Sequence, residues 1–424
     1  MAADTGKGHF LAGKTVFIAG AGLSGTAFAA SLRKLWTVGI PPPKVVIFDR
    51  DQRHSVEQRG GYSLSLVGHD LSGGLNPLKK LGLLESVLDS SISGADGKGS
   101  FTIWSSEWKE LSSFQKKPIN GIPTSSLRIS RNGLRQILTK AAVDDPNEIE
   151  WNSQCVSAKR LSNGRLGVGV LRGEPGIVEE LECDLLIAAD GAQSKLRSCL
   201  RPDDTLDYTG AVLRGGVSTF DGLIPPQIGR NWGFVMSRTG ASCFVSPVDE
   251  KSVLWAVGHF EAQAPPRDKA SECEAQDIVK QALQLTSHIQ EPLHTLINNT
   301  DLKTVMRLNA SDKMPFRHGE SLADMPVVFI GDSNHALSPF AGYGANLGLN
   351  DAWDLAEKLV THDSIQEAVA AYDDVSVPRA TKVLHGARKR LKAGHSTGAL
   401  YFVFMFALAL RRFFSWVAYI VRGR

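Results

Sequence analysis

Gly20, Gly22 and Gly25 stand in G-x-G-x-x-G spacing directly after the apolar run Val16 to Ala19. In that context the chemistry is anion binding. One glycine makes the tight turn, one admits a pyrophosphate to backbone N–H groups, and one lets the following helix pack on the strand. The helix N-terminus favours the same anion. A second apolar stretch, KVVIFDR, ends in Asp49, placed to accept hydrogen bonds from a ribose diol. This acid falls later than the roughly 20 residues usual for it, because the proline-rich stretch Gly39 to Pro43 lengthens the crossover. Strand, glycines, helix and acid together read as a dinucleotide-binding unit, without separating NAD from FAD.

Three later stretches add to it. RISRNGLRQIL puts Arg131 at the start of a helix with apolar positions Leu134, Ile137 and Leu138. LECDLLIAADGAQSKLRSCL reads as a buried strand ending in Asp190 and Gly191, with Ser194 and Arg197 at helical spacing beyond. PVVFIGDSNHALSPFAGYGANLGLNDAWDLAEKL gives a third strand ending in Gly331 and Asp332. A loop with Pro339, Gly342 and Gly344 follows, then a helix opening with Ala345 and Asn346. A Cβ at Gly342 or Gly344 would hold that loop away from a flat ligand. The N–H groups of the helix would face negative charge.

With these motifs in this order, the chain resembles the class A FAD-dependent monooxygenases of the para-hydroxybenzoate hydroxylase fold over about residues 14 to 390. The likeness is to TetX-like, tetracycline-inactivating members and fungal relatives. The resemblance implies an α/β fold in an α+β two-domain arrangement: a Rossmann-like FAD-binding domain, a β-sheet substrate domain and a C-terminal helical tail. It also implies roles. Gly20, Gly22, Gly25 and Asp49 match the ADP-binding fingerprint, and Arg50 an arginine near the adenosine end. Arg131 matches a flavin-contacting arginine, and Asp190 and Gly191 a DG motif tied to FAD and the nicotinamide cofactor. Asp332 matches the aspartate on the ribityl chain, and Pro339, Gly342, Gly344, Ala345 and Asn346 the loop beside the isoalloxazine. RGGYSLSL resembles the strand beside the flavin, but is one residue longer and has Ser65 where the TetX type has aspartate. Tyr343 replaces a glutamine common there, so antibiotic inactivation is not implied. The implied reaction has NADPH or NADH reduce FAD, O2 add to form a C4a-hydroperoxide, and one oxygen atom pass to a bound substrate. That requires a roof against water.

A chain of 424 residues suggests two or three units on a prior of roughly 150 residues each. The FAD-binding domain is read as 10–75, 121–205 and 311–362, and the substrate domain as 76–120 and 206–310, followed by helices over 363–397 and an apolar tail over 398–424. The runs ASCFVSPV and SVLWAVGHF, split by turn signals, are expected in the substrate sheet. From it Arg214, as a catalytic residue, and Arg238, as a substrate contact, are expected to orient a polar or anionic group. His335 reads as structural rather than as a proton donor. Tyr62 and Tyr343 read as ring packing near the flavin, and Arg59 as a contact for the NADPH phosphate.

A hydrophobic content of 42% with 21% charged residues excludes a disordered chain. The net charge of +3, with basic residues scattered except at the far C-terminus, gives no footprint for nucleic acid. Cys155, Cys183, Cys199, Cys243 and Cys273 form no CxxC pair and leave an odd thiol. No metal site is expected, and the reading is a reducing, cytoplasmic compartment, the N-terminus lacking a secretory apolar core. In the tail, the apolar run Ala399 to Leu410 is shorter than the roughly 20 residues a span needs. Extending it to Val421 buries Arg411 and Arg412 at roughly 2.5 to 3.5 kcal/mol each. Besides true spanning, which these costs disfavour, two placements stay open. One is an interfacial helix pair over 398–421, with Phe402, Phe406, Phe413, Trp416 and Tyr419 in the acyl boundary and a membrane surface as partner. The other is a helix docked on the FAD domain.

The expected function is hydroxylation or epoxidation of an apolar, polycyclic or prenylated natural product, with O2 and NADPH or NADH as co-substrates. The alternatives are a flavin oxidase or dehydrogenase, or a non-catalytic flavoprotein.

Overall fold

The computed structural model describes residues 8–53, 62–114, 116–145, 148–173, 176–265, 272–322 and 325–421. Five parallel strands form the first sheet: β1 Thr15–Ala19, β2 Lys44–Phe48, β8 Ile149–Glu150, β12 Leu185–Ala188 and β18 Val327–Phe329, in the order β18-β12-β1-β2-β8. Parallel sheets are buried on both faces, which is why β1, β12 and β18 read as nearly continuous apolar runs. One face packs under α1 (Leu23–Leu35), α4 (Arg131–Ala142) and α10 (Gly344–Thr361), where Phe28, Leu134 and Leu355 share a core with Ile18 and Ile187. The other face carries Phe17, Phe48 and Phe329. It meets an antiparallel sheet of β9 Ser153–Arg160, β10 Leu166–Arg172 and β11 Ile177–Cys183 through Val168 and Val170.

A short antiparallel sheet of β3 Ser63–Val67, β7 Ser126–Ser130 and β4 Ser91–Ser93 lies beside the first core, joined by α2 (Leu75–Leu81) and α3 (Leu84–Asp89). Its alternation is two-sided. Leu64, Leu66, Leu127 and Ile129 face the core, while Ser63, Ser65 and Arg128 point the other way.

The largest sheet has seven strands. These are β5 Phe101–Trp104, β6 Glu110–Phe114, β13 Asp207–Thr219, β14 Trp232–Met236, β15 Ser242–Pro247, β16 Ser252–Phe260 and β17 Met306–Asp312, in the order β17-β13-β16-β15-β14-β5-β6. One face, with Val245, Trp255 and Val257, is covered by α6 (Glu272–Leu285) and α7 (Leu293–Asn298) through Ala282, Leu293 and Ile297. The opposite face, with Phe244 and Gly258, turns toward the loop after β18. The remaining helices are α5 Lys195–Leu200, α8 His318–Ser321, α9 Asp332–His335, α11 Ile365–Gly394 and α12 Gly398–Val421.

The tail departs from both placements expected of it. It is one continuous helix, α12, rather than a pair, and it docks on the seven-stranded sheet rather than on the FAD domain. Leu408 is buried and packs with Phe404 and Met405 against Ile103 and Met236, and Arg411 lies 3.8 Å over the Phe114 ring. Leu400, Phe402, Val403 and Phe406 line its exposed side. Among the described residues, no helix is long and apolar enough to cross a membrane.

Behind the end of β18, Asp351 of α10 accepts hydrogen bonds from the Gly331 N–H at 2.9 Å, Arg379 at 2.9 Å, Ser376 at 2.8 Å and His335 at 2.5 Å. Burial disfavours its charge, but His335 and Arg379 outweigh burial and hold its carboxyl well below the usual carboxylate range. Burial likewise disfavours charge on His335, and Asp351 overrides it to raise the imidazole. A depressed carboxylate contributes stability that is present above its unfolded value of about 4 and lost as pH falls through the folded one. Asp351→Asn should therefore cost about 3–5 kcal/mol at pH 7, since it strips His335 of its carboxylate and leaves Arg379 with Asp354 alone. Its denaturation midpoint should fall less steeply than that of the wild type between pH 7 and pH 3, as chemical denaturation at each pH would show.

Candidate active site

The site is built at the carboxyl ends of β1, β12 and β18, where crevices outside a parallel sheet take ligands. Gly20 turns at φ +107°, and a Cβ there would sit 2.5 Å from the Ala189 carbonyl oxygen. A Cβ on Gly25 would strike the Gly20 carbonyl oxygen, so α1 can cross β1 only with glycine at that position. Gly22 is different. A Cβ there would meet nothing within 4 Å, and the residue caps α1 with no side-chain cap on the first N–H groups. Open space against unpaired N–H groups is what a pyrophosphate requires.

Asp49 is buried at the end of β2. Its Oδ2 accepts from the Ala21 N–H and from Arg135, both at 2.8 Å, and its Oδ1 from the Asp51 N–H at 2.8 Å. Arg135 was not expected. It also donates to the Ala21 carbonyl at 2.7 Å and lies over the Trp151 ring, fixing the acid against the glycine turn. Its position one helical turn after Arg131 was the available signal. Arg50 is exposed beyond the strand.

At the next strand end, Asp190 Oδ2 accepts from the Lys195 and Leu196 N–H groups at the start of α5, while its Oδ1 is buried without a partner. Burial raises its pKa. Gly191 takes the left-handed conformation, φ +82°. Arg197 donates to the Ala192 carbonyl at 2.6 Å and the Ser333 carbonyl at 2.8 Å, tying the DG turn to the GD turn. Asp332 opens α9, and no described residue hydrogen-bonds its carboxylate. Burial raises its pKa, against the fields of His335 and Arg131. Arg131 thus stands close to Asp332, at the first position of α4.

Past them, Ser338 is buried with an unpartnered hydroxyl, Pro339 and Gly342 are exposed, and α10 starts at Gly344 with no side-chain cap. Asn346 is engaged differently from a ligand-facing residue. Its amide donates to the Ser65 carbonyl at 2.8 Å, and its oxygen accepts from the Val67 and Gly74 N–H groups at 2.9 and 2.8 Å. It clamps β3 under the start of α10, beside Ala345. Tyr343 is held by Asp70 at 2.6 Å, and Tyr62, exposed, gives its carbonyl to the Arg131 N–H. His335 bonds Asp351 and is structural. Arg59 lies outside the described residues.

Across from this loop stands the Phe244 face of the seven-stranded sheet. Phe340 reaches Gly258, and His395, buried between Phe260 and Phe340, meets Ser242 at 3.2 Å. Arg214 is not on this face. It pairs across β13 and β16 with Val257, which faces α6, and strand alternation puts its side chain there too. Glu261 holds it at 2.6 Å and Gln281 of α6 at 2.8 Å, so the catalytic role expected of it gives way to a structural ion pair. Arg238 does not project from the sheet either. It is exposed in the turn between β14 and β15.

Several groups here are suited to a ligand: the open cradle at Gly22, the Asp190 Oδ1 and Ser338 Oγ without a hydrogen-bond partner, the buried Asp332 carboxylate, and the uncapped α10. They lie at the carboxyl ends of β1 and β12 and in the segment after β18, and fit an extended dinucleotide. The profile of the FAD binding domain family matches residues 14–387. The chain belongs to this family. It is similar to the monooxygenase cfoF of Aspergillus candidus, 42% identical over 92% of this chain and 93% of that one. It is also similar to an aurachin C monooxygenase/isomerase of Stigmatella aurantiaca, 25% identical over 88% of each. Its fold matches the tetracycline destructase Tet(55), with TM-score 0.67 at 18% identity over 95% of this chain and 96% of that one. The protein is an FAD-dependent monooxygenase of the class A fold, and FAD is its cofactor.

Two outcomes follow. Removing a buried hydrogen-bonding charge costs about 1.5–3 kcal/mol, so Arg135→Ala, by loosening Asp49, should weaken FAD binding about 10- to 100-fold, read from flavin retained after desalting. Arg214→Met should lower the melting temperature while leaving flavin retention at the wild-type level.

Proposed function

We propose that this monooxygenase uses NADPH or NADH and O2 to hydroxylate or epoxidise an apolar, polycyclic or prenylated natural product between residues 338–346 and the Phe244 face of the seven-stranded sheet. When bound, FAD supplies the redox chemistry, accepting electrons from the nicotinamide and activating O2. The chain supplies position and electrostatics. Gly20, Gly22, Gly25 and Asp49 hold the ADP end, with Arg50 beside it. Asp190, Gly191, Arg131 and Asp332 line the middle. Pro339, Gly342, Gly344 and Ala345 flank the ring, with Asn346 holding their backbone in place. The N–H groups at the start of α10 favour negative charge at the ring edge.

The observation that carries the reading is the composition of the facing sheet. Phe234, Phe244 and Phe260 of the sheet, met by Phe340 from the loop, give an apolar, aromatic surface suited to an apolar substrate and to excluding water. The names of the relatives agree, since one acts on aurachin C as a monooxygenase.

Incubation with NADPH, isotopically labelled O2 and a panel of aromatic and prenylated compounds should place one labelled atom in a product. Nucleotide consumption that yields only hydrogen peroxide, with no labelled product for any compound, would instead mark an oxidase. Asp332→Ala, saturated with FAD, should slow substrate-dependent NADPH consumption by about tenfold or more.

A further inference from the structure

Docking on Ile103 and Met236 uses one side of α12 only. On the other side Leu400, Phe402, Val403 and Phe406 stand 71, 61, 65 and 69% exposed and Leu410 43%, with the exposed Ala399, Ala407 and Ala409 between them. From Gly398 to Leu410 the sequence has no charged residue, and Tyr401 is buried. A surface helix ordinarily sets a charged face opposite its apolar stripe. Here the side turned to solvent is as apolar as the side turned to the protein. A contiguous exposed surface of this kind marks an interaction site.

The charge around it indicates the chemistry of the partner. Residues 375–424 contain ten Lys and Arg and no Asp or Glu; with the whole chain at +3, residues 1–374 carry −7. Arg379 pairs with Asp351 and Asp354, and Arg388 with Asp312. Other cations bracket the apolar side. Lys389 and Lys392 are exposed in the last turns of α11, just before α12 begins, and Arg411 follows Leu410, with Arg412 next in sequence. Apolar side chains with cations at both ends and no acid suit the boundary of an anionic bilayer, acyl chains meeting the middle and headgroups the ends.

A second copy of the chain suits this face less well. Two such helices paired face to face, parallel or antiparallel, bring cations against cations at both ends, and like charges opposed across an interface are unfavourable. Nor does the helix stand end-on to a bilayer. Phe404, Met405 and Leu408 share a cluster with Phe114, Phe234 and Met236, which holds α12 along the sheet and leaves its outer arc open. That is the geometry of a helix lying in the interface.

We infer that the outer side of α12, from Leu400 to Leu410, is a binding surface for anionic phospholipid, on which the protein lies without crossing the bilayer. Lipid binding of this kind is independent of the reaction assigned above. The two meet at Phe234, which belongs to the α12 cluster and lies 5.3 Å from the Phe244 ring. An apolar substrate dissolved in lipid would thus start one helix away from the face proposed to receive it.

Cosedimentation of the full-length, FAD-loaded protein with lipid vesicles is the test. At low salt, vesicles of equimolar phosphatidylcholine and phosphatidylserine should bind the protein about tenfold or more tightly than vesicles of phosphatidylcholine alone, and the excess should vanish at about 1 M salt. Phe402→Ser combined with Phe406→Ser should weaken binding to the mixed vesicles about tenfold or more, with the flavin absorbance unchanged. Should that variant lose its flavin, Lys389→Gln combined with Lys392→Gln decides the matter: binding to the mixed vesicles should fall about tenfold, toward the level on phosphatidylcholine alone. Wild-type protein that binds neither vesicle, or both equally, would overturn the lipid surface, as would binding that survives the paired phenylalanine substitutions. A dimer that those substitutions dissociate, with no vesicle binding, would give the face to a second copy instead.

Discussion

Everything in this fold depends on bringing bare backbone to the carboxyl ends of three parallel strands. Two helices, α1 and α10, start there without side-chain caps, and they cross closely enough that a Cβ at Gly331 or Gly348 would strike Ser24 Oγ. The crossing sets both N-termini on the same side of the sheet. It gives a long, twice-charged cofactor a positive end-on dipole at its phosphates and another at its ring. A side chain at any of these approaches would separate the helices and close the crevice.

The rest of the molecule holds that approach in place. Asp351 ties the turn after β18 to α10 and α11, Arg197 ties it to the turn after β12, and Asn346 ties α10 to β3. These are buried polar networks, with little slack, since each unmet group would cost free energy in a low-dielectric interior. They explain why the DG and GD turns are embedded in polar residues with no role toward a ligand, such as His335 and Ser376.

The cofactor half was legible in the sequence because its motifs are contiguous: a strand, a turn and a helix start, each within about a dozen residues. Arg135 escaped because its partner Asp49 is remote in sequence, and helical spacing alone does not say which acid an arginine will meet. The substrate half was less legible for a different reason. On a strand such as β13, one residue of register decides which face a side chain takes, and β13 carries an irregularity between Tyr208 and Val212. Arg214 therefore read as a pocket residue and lies under α6. Arg128 was passed over because it sits as one polar position in an alternating strand, SLRIS, and only the structure shows that no acid accompanies it among the described residues. The apolar tail read as membrane-seeking or docked on the FAD domain because its composition says that it needs an apolar contact, not that the contact is Ile103 and Met236.

The central claim is that a flavin held at these strand ends exchanges electrons with a nicotinamide under the control of a substrate lying on the Phe244 face. The most direct test is the visible spectrum of the FAD-loaded protein mixed with NADPH in the absence of oxygen, with and without a panel of phenolic and prenylated aromatics. The account predicts that the flavin band bleaches, and faster with at least one of these compounds. A flavin band unchanged by NADPH and by NADH with every compound, or no flavin band after reconstitution with FAD, would contradict it.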